Sequence, residues 1–273
     1  MDTVNFETAE EHWIEIDGLK IHYREAGEGK CLVLIHAAGH SLEDFNSIFD
    51  KLKTSYRVIA IDLPGHGKSD LFDPPTFANV ITLSKYIQEF SKQVVKEKAI
   101  YLGNSIGGFL SISLALASPE LVKGLVLVNS GGFNEPGLIA DNFTRLKGKE
   151  WITRIVWNTF PSLYIKVKNE FTKDILSRIR NNKTDNAIKT NASIWRSFLL
   201  PEHNLRERAK EIECPTFLIW GKRDPVIELK IGIQATQLIP DARLELLNTG
   251  HLPFAEDPEN FFTVLKSFLE TIE

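Results

Sequence analysis

Gly103-Asn104-Ser105-Ile106-Gly107 lies between two apolar runs, Ala99 to Gly103 and Phe109 to Ser118. The first has the length and composition of a buried strand, the second those of a buried helix. A serine on the sharp turn between a strand and a helix is exposed as a nucleophile. Gly103 and Gly107 allow the backbones to approach where a Cβ would clash. The helix that starts behind Ser105 offers unpaired N–H groups and a partial positive charge, both suited to an oxyanion. The three fixed letters of G-x-S-x-G recur by chance in roughly one chain in ten of this length at average composition. The context on either side is what gives the match its weight.

Outward from this turn, short aliphatic and β-branched runs recur. His12 to Ile16 and Lys20 to Arg24 alternate around Asp17-Gly18, a tight-hairpin signal. Cys31 to Ile35, Tyr56 to Ile61, Ala99 to Gly103, Leu125 to Val128, Thr216 to Trp220 and Leu244 to Leu247 are nearly continuous apolar runs. Such runs suit strands buried on both faces of a parallel sheet. Helical patterns separate several of them: Ala78 to Lys96, Phe109 to Ser118, Lys230 to Leu238 and Pro258 to Ile272. The order predicts an α/β fold, a doubly wound and mostly parallel eight-stranded sheet.

The alternation stops after the sixth run. Residues 131–211 carry helical patterns, no convincing strand, and many large aromatics, including Phe143, Trp151, Trp157, Phe160, Tyr164, Trp195 and Phe198. Residues 131–210 hold 15 Lys and Arg against 8 Asp and Glu, while the remainder holds 17 against 28. The expectation is a helical cap at 131–211 inserted into a core formed by 1–130 and 212–273. Most of the aromatics are expected to pack the cap, and Trp151, Trp157, Trp195 and Leu252 are candidates to touch substrate. The basic surplus reads as a solvated face, or else as a means to steer an anionic substrate or hold an acidic partner.

A serine hydroxyl needs an adjacent base, and the base an orienting carboxylate. Of the seven histidines, His12 and His22 fall on the hairpin, expected to be exposed, and His203 in the cap. His36, His40 and His66 follow strands. His251, in Thr249-Gly250-His251-Leu252, follows the last strand at the sheet's carboxyl edge, where Ser105 also lies and where open α/β sheets place their sites. The matching acid is Asp224 in Gly221-Lys222-Arg223-Asp224-Pro225, after Thr216 to Trp220. The rival position, after the sixth strand, is Asn129-Ser130 and holds no carboxylate. Ser105, Asp224 and His251 thus read as nucleophile, orienting acid and base.

His36-Ala37-Ala38-Gly39 follows the third strand and can supply an oxyanion donor beside the Ile106 N–H. Ala38 is the favoured second donor and Ala37 its rival. Asp62-Leu63-Pro64-Gly65-His66-Gly67-Lys68-Ser69-Asp70 reads as a tight turn whose polar groups satisfy loop backbone. His36 and His40 have the i, i+4 spacing of a metal pair but no third ligand nearby, so no metal is expected.

Taken together, the His36 to Gly39 loop, the Asp62 to Asp70 turn, the Gly103 to Gly108 elbow, Gly221 to Pro225 and Gly250-His251 resemble the α/β-hydrolase fold family over almost the full chain. One departure is Ala37, where family members often carry glycine after the histidine. The resemblance implies a serine hydrolase with a helical cap and no cofactor, cleaving a small carboxylic ester through an acyl-enzyme. Hydrolysis of carbon–carbon bonds in ring-cleavage diketones, acyl transfer, lactone opening and ligand reception on the same fold remain alternatives. Against the diketone reading, members of that group usually carry tryptophan where this chain has Leu252.

The whole composition agrees with an enzyme acting on a small molecule. At 273 residues, with 43% hydrophobic and 25% charged residues and a net charge of −4, the chain gives no nucleic-acid signal. Cys31 and Cys214 are too few for a disulfide framework and are expected as buried thiols, which fits a cytoplasmic home. Met1 to Trp13 is acidic and lacks an apolar leader. Ala99 to Pro119 is uncharged and long enough to span a membrane, but Asn104, Ser105 and Gly107-Gly108 break that character, so no membrane span is expected. Oligomeric state is left open.

Overall fold

The computed structural model describes residues 9–135 and 137–272. Residues 1–8, which carry much of the acidic N-terminal segment, lie outside them. Eight strands form one sheet: β1 (Glu10–Ile16), β2 (Leu19–Ala26), β3 (Cys31–Ile35), β4 (Arg57–Ile61), β5 (Ala99–Asn104), β6 (Val122–Val128), β7 (Thr216–Gly221) and β8 (Ala242–Leu247). Their spatial order is β1-β2-β4-β3-β5-β6-β7-β8. β1 and β2 pair antiparallel, β2 joins β4 antiparallel, and every pair from β4–β3 through β7–β8 is parallel. All eight expected strands are present. The β1–β2 turn places Asp17 at φ 47° and Gly18 at φ 80°, as a primed two-residue hairpin requires.

Among the described residues, eleven α-helices accompany the sheet. They are α1 (Asn46–Leu52), α2 (Val80–Phe90), α3 (Ile106–Ala117), α4 (Leu138–Lys147), α5 (Glu150–Val156), α6 (Phe160–Tyr164), α7 (Glu170–Asn181), α8 (Asp185–Ser197), α9 (Leu229–Leu238), α10 (Pro253–Glu256) and α11 (Pro258–Leu269). The single helix expected over Ala78 to Lys96 begins later and changes pitch. Asn79 caps α2 by accepting the Ile81 and Thr82 N–H groups at 3.0 Å each, and a π turn, Ser91–Val95, follows. Among the described residues no helix is long and apolar enough to cross a membrane. The uncharged run at Ala99 is β5, a turn and α3.

The sheet separates two apolar layers because its central strands are buried on both faces. Val33, Ile59, Tyr101 and Leu127 pack on one side with α2 and α3. Leu34, Ala60, Leu102 and Val126 pack on the other with α1 and α11. Between β6 and β7 the described chain holds α4 to α8 and no strand. Loops after β3, β5, β7 and β8 meet at the carboxyl edge of the sheet, and residues from α4, α6 and α8 face them across one cavity of about 1450 Å³.

Candidate active site

Ser105 adopts φ 57° and ψ −115°, a conformation that costs a non-glycine residue about 1–3 kcal/mol. The surroundings enforce it. Its N–H donates to the Val128 carbonyl at 3.0 Å, and its own carbonyl accepts from Gly108, Phe109 and Gly131 N–H groups at 3.1, 3.2 and 2.9 Å. A Cβ on Gly103 would lie 2.2 Å from the Gly107 carbonyl oxygen, and one on Gly107 2.2 Å from that of Ile35. Two glycines therefore let β5, β3 and α3 close around the turn. Ser105 stays half-buried and lines the cavity.

His251 lines the same cavity, with its Nδ1 2.6 Å from Asp224 Oδ2. An ionised carboxylate only accepts, so Nδ1 is the donor in this bond. Asp224 is held by two further donors: Asn129 Nδ2 to Oδ2 at 2.5 Å and the Val226 N–H to Oδ1 at 2.8 Å. Asn129 is the residue at the rival acid position. Its amide Oδ1 accepts the Gly221 N–H at 3.1 Å, so it links the ends of β6 and β7 instead of supplying a carboxylate. Ala37, Ala38 and Ile106 also line the cavity. Ile106 opens α3, so its N–H has no intrahelical acceptor.

A model of the alpha/beta hydrolase fold matches residues 30–258. The chain belongs to the α/β-hydrolase fold family. It is 27% identical over 271 residues to the pimeloyl-[acyl-carrier protein] methyl ester esterase of Aliivibrio fischeri, covering 91% of this chain and 97% of that protein. It is 28% identical over 277 residues to a 2-hydroxy-6-oxononadienedioate/2-hydroxy-6-oxononatrienedioate hydrolase of Paraburkholderia phymatum, covering 92% and 91%. The crystal structure of a hydrolase from Pseudomonas aeruginosa PA01 superposes with a TM-score of 0.82 at 24% identity, over 95% of this chain and 98% of that one. That last likeness shows the fold.

Several residues that shape this α/β-hydrolase site carry no local sequence signal. Asn104 donates to the Val128 carbonyl at 3.0 Å and to the His251 carbonyl at 3.1 Å, tying the elbow to the histidine loop. Glu256, buried, accepts the Gly250, Lys166 and Val167 N–H groups at Oε2 (2.9, 2.8 and 2.8 Å) and that of Leu252 at Oε1 (3.2 Å). Tyr164 accepts the His251 N–H at its carbonyl (2.9 Å) and packs its ring edge-on against the imidazole. Its hydroxyl lies 2.8 Å from His40 Nε2, while His40 Nδ1 bonds Asp44. Burial pushes the Asp44 carboxyl up, but the neighbouring His40 and Arg178 outweigh it and hold it below the usual range.

His36 and His22 are held by structural bonds, while His203 lines the cavity. His36 Nε2 accepts the Leu63 N–H at 3.0 Å and Nδ1 lies 2.7 Å from the Ala37 carbonyl, a neutral tautomer with both nitrogens engaged. His22 differs from expectation. It is buried, with Nδ1 2.7 Å from Asp62 Oδ2, because Asp62 points under the hairpin and also accepts the Leu42 and Lys68 N–H groups at 2.8 and 2.9 Å. The Asp62 to Asp70 segment is thus a bonded turn. Cys31 is buried and Cys214 half-buried, both free.

Trp157 and Trp195 line the cavity, as do Phe143, Phe160 and Phe198. Trp151 does not. It is 60% exposed on the outer side of α5, whose buried residue is Thr153. Leu252 is fully buried in the core beneath the histidine loop and is not part of the cavity wall. Lys147, one of the residues behind the basic surplus of residues 131–210, is buried and lines the cavity.

Proposed function

We propose that this α/β-hydrolase is a serine carboxylesterase that works through an acyl-enzyme. The observation that carries the reading is the 2.6 Å bond between His251 Nδ1 and Asp224 Oδ2, which leaves Nε2 basic in a cavity shared with the strained Ser105. Ser105 Oγ attacks the ester carbonyl and its proton passes to His251 Nε2. Asp224 balances the imidazolium that forms. The N–H groups of Ile106 and Ala38 receive the oxyanion, each worth about 2.7–4 kcal/mol of barrier. His251 returns the proton to the departing alcohol. Water, deprotonated by His251, then attacks the acyl carbonyl; the acyl–Oγ bond breaks, His251 returns the proton to Ser105 Oγ, and the carboxylic acid leaves.

In this reading residues 131–211 act as a cap over a core of residues 1–130 and 212–273, with Trp157 and Trp195 shaping the substrate's apolar part. Similarity to the Paraburkholderia hydrolase favours a second reading, carbon–carbon cleavage of a dienedioate-type ketone at the same serine. Turnover of a panel of p-nitrophenyl esters alongside a vinylogous diketone separates the two. Saturable ester hydrolysis that disappears in Ser105→Ala supports the first; hydrolysis of the diketone alone supports the second.

A further inference from the structure

Lys147 ends α4 and is the only buried lysine or arginine among the described residues. Its ammonium makes no hydrogen bond or ion pair there. It lies instead 4.3 Å from the centre of the Phe160 ring and 5.4 Å from that of Trp195. Burial, with no ionised neighbour to offset it, lowers its pKa to about 8. The cavity's other cations, Arg145, Arg208 and Lys230, are exposed.

A buried cation without a counter-charge is destabilising, and two aromatic faces recover part of that at most. The group is still largely protonated at neutral pH and borders the cavity that holds Ser105 and His251. The separations from Lys147 Nζ to the Phe160 ring (4.3 Å), from Phe160 to Tyr164 (5.3 Å) and from Tyr164 to His251 (5.3 Å) place it no more than about 15 Å from the imidazole. One bound molecule can span that distance.

We propose that Lys147 is a specificity-determining residue whose ammonium binds a carboxylate carried by the substrate away from its scissile ester. The substrate class is therefore an anionic ester, with the apolar spacer held by Phe160 and Trp195. This rests on the ester-hydrolase reading, and it adds the missing counter-charge only when substrate is bound. The interaction is a charge-assisted hydrogen bond in a low-dielectric pocket.

The test uses the full chain carrying Ser105→Ala, titrated calorimetrically with monomethyl adipate, with 6-acetoxyhexanoate, and with neutral dimethyl adipate. The first two place the carboxylate on the acyl side and on the alcohol side. At least one should bind about ten- to a hundredfold tighter than the neutral diester. Adding Lys147→Met should abolish that preference, and Lys147→Arg should keep part of it. Equal binding of all three ligands, or a preference that survives Lys147→Met, overturns the proposal; the first comparison needs no change at Lys147. Parallel turnover by the unsubstituted enzyme separates the two readings. Lys147-dependent binding without hydrolysis of any ester removes the esterase reading and leaves the anion site. Ester hydrolysis without an anion preference does the reverse.

Discussion

Asp224 and Asn129 form a matched pair at the ends of β7 and β6. Asp224→Asn replaces the acceptor facing His251 Nδ1 with an amide that favours the wrong tautomer. Turnover should fall by about 10⁴-fold. Because Asn129 Nδ2 already lies 2.5 Å from the same carboxylate oxygen, adding Asn129→Asp returns a carboxylate to the neighbourhood of the imidazole. The double variant should recover at least about tenfold over Asp224→Asn, as read from kcat on a p-nitrophenyl ester. No recovery would mean that the imidazole is not reachable from the end of β6. Lys147 gives a second residue-scale expectation. Its ammonium ionises in the folded chain at about 8, against an ordinary value of 10.5. Between those values the unfolded chain binds more protons, so stability associated with this residue rises with pH. Lys147→Met should therefore stabilise the fold at pH 7 by about 1–3 kcal/mol, and its advantage should shrink by pH 10. Denaturant melts at the two pH values check this; a variant less stable at pH 7 would contradict it.

At the scale of elements, the position of His251 depends on how its loop is held. Glu256 in α10 gathers four N–H groups, two from the histidine loop and two from the segment after α6. Glu256→Gln replaces one accepting oxygen with an NH₂ donor that faces N–H donors, and should cost about 1–3 kcal/mol of stability and lower kcat, measured by denaturant melts and steady-state kinetics. Unchanged values of both would show that the loop is fixed elsewhere. Gly221 and Gly250 explain why this depends on elements and not on one residue: a Cβ on Gly221 would lie 1.8 Å from the Gly250 carbonyl oxygen, and one on Gly250 1.9 Å from that of Tyr164. Much of this region was legible in the chain itself. Composition reveals β5 and β7, because strands buried on both faces must be continuously apolar, while the edge strand β8 alternates exposed Arg243 and Glu245 with half-buried leucines. The elbow, Asp224 and His251 then follow from position after a strand. The ties made by Asn104, Asn129, Glu256 and His22 join residues far apart in sequence. No periodicity announces which distant backbone a polar side chain will meet. Lys147 is hidden in the sequence for the same reason: charge counted along a segment cannot tell a solvated lysine from one turned inward between Phe160 and Trp195.

Across the whole molecule, the sheet and the helices between β6 and β7 divide the work. Trp220 lies in the core, fully buried, donating to the Ile227 carbonyl at 2.9 Å and resting on Gly232. Trp220→Ala should remove about 3–5 kcal/mol of stability. Trp195 instead faces the cavity between Phe143, Phe160 and Phe198. Trp195→Phe should leave stability nearly unchanged and shift the ratio of kcat/KM between short and long esters. Ratios equal to the unsubstituted enzyme would assign Trp195 to packing alone. The Trp195 expectation presupposes the central claim that Ser105 is an activated nucleophile. Its most direct test is intact-mass and peptide analysis after exposure to a fluorophosphonate. The account predicts one adduct, on Ser105, absent in Ser105→Ala and formed far more slowly in His251→Ala. A folded protein that takes up no label, or labels as fast in His251→Ala, would contradict it.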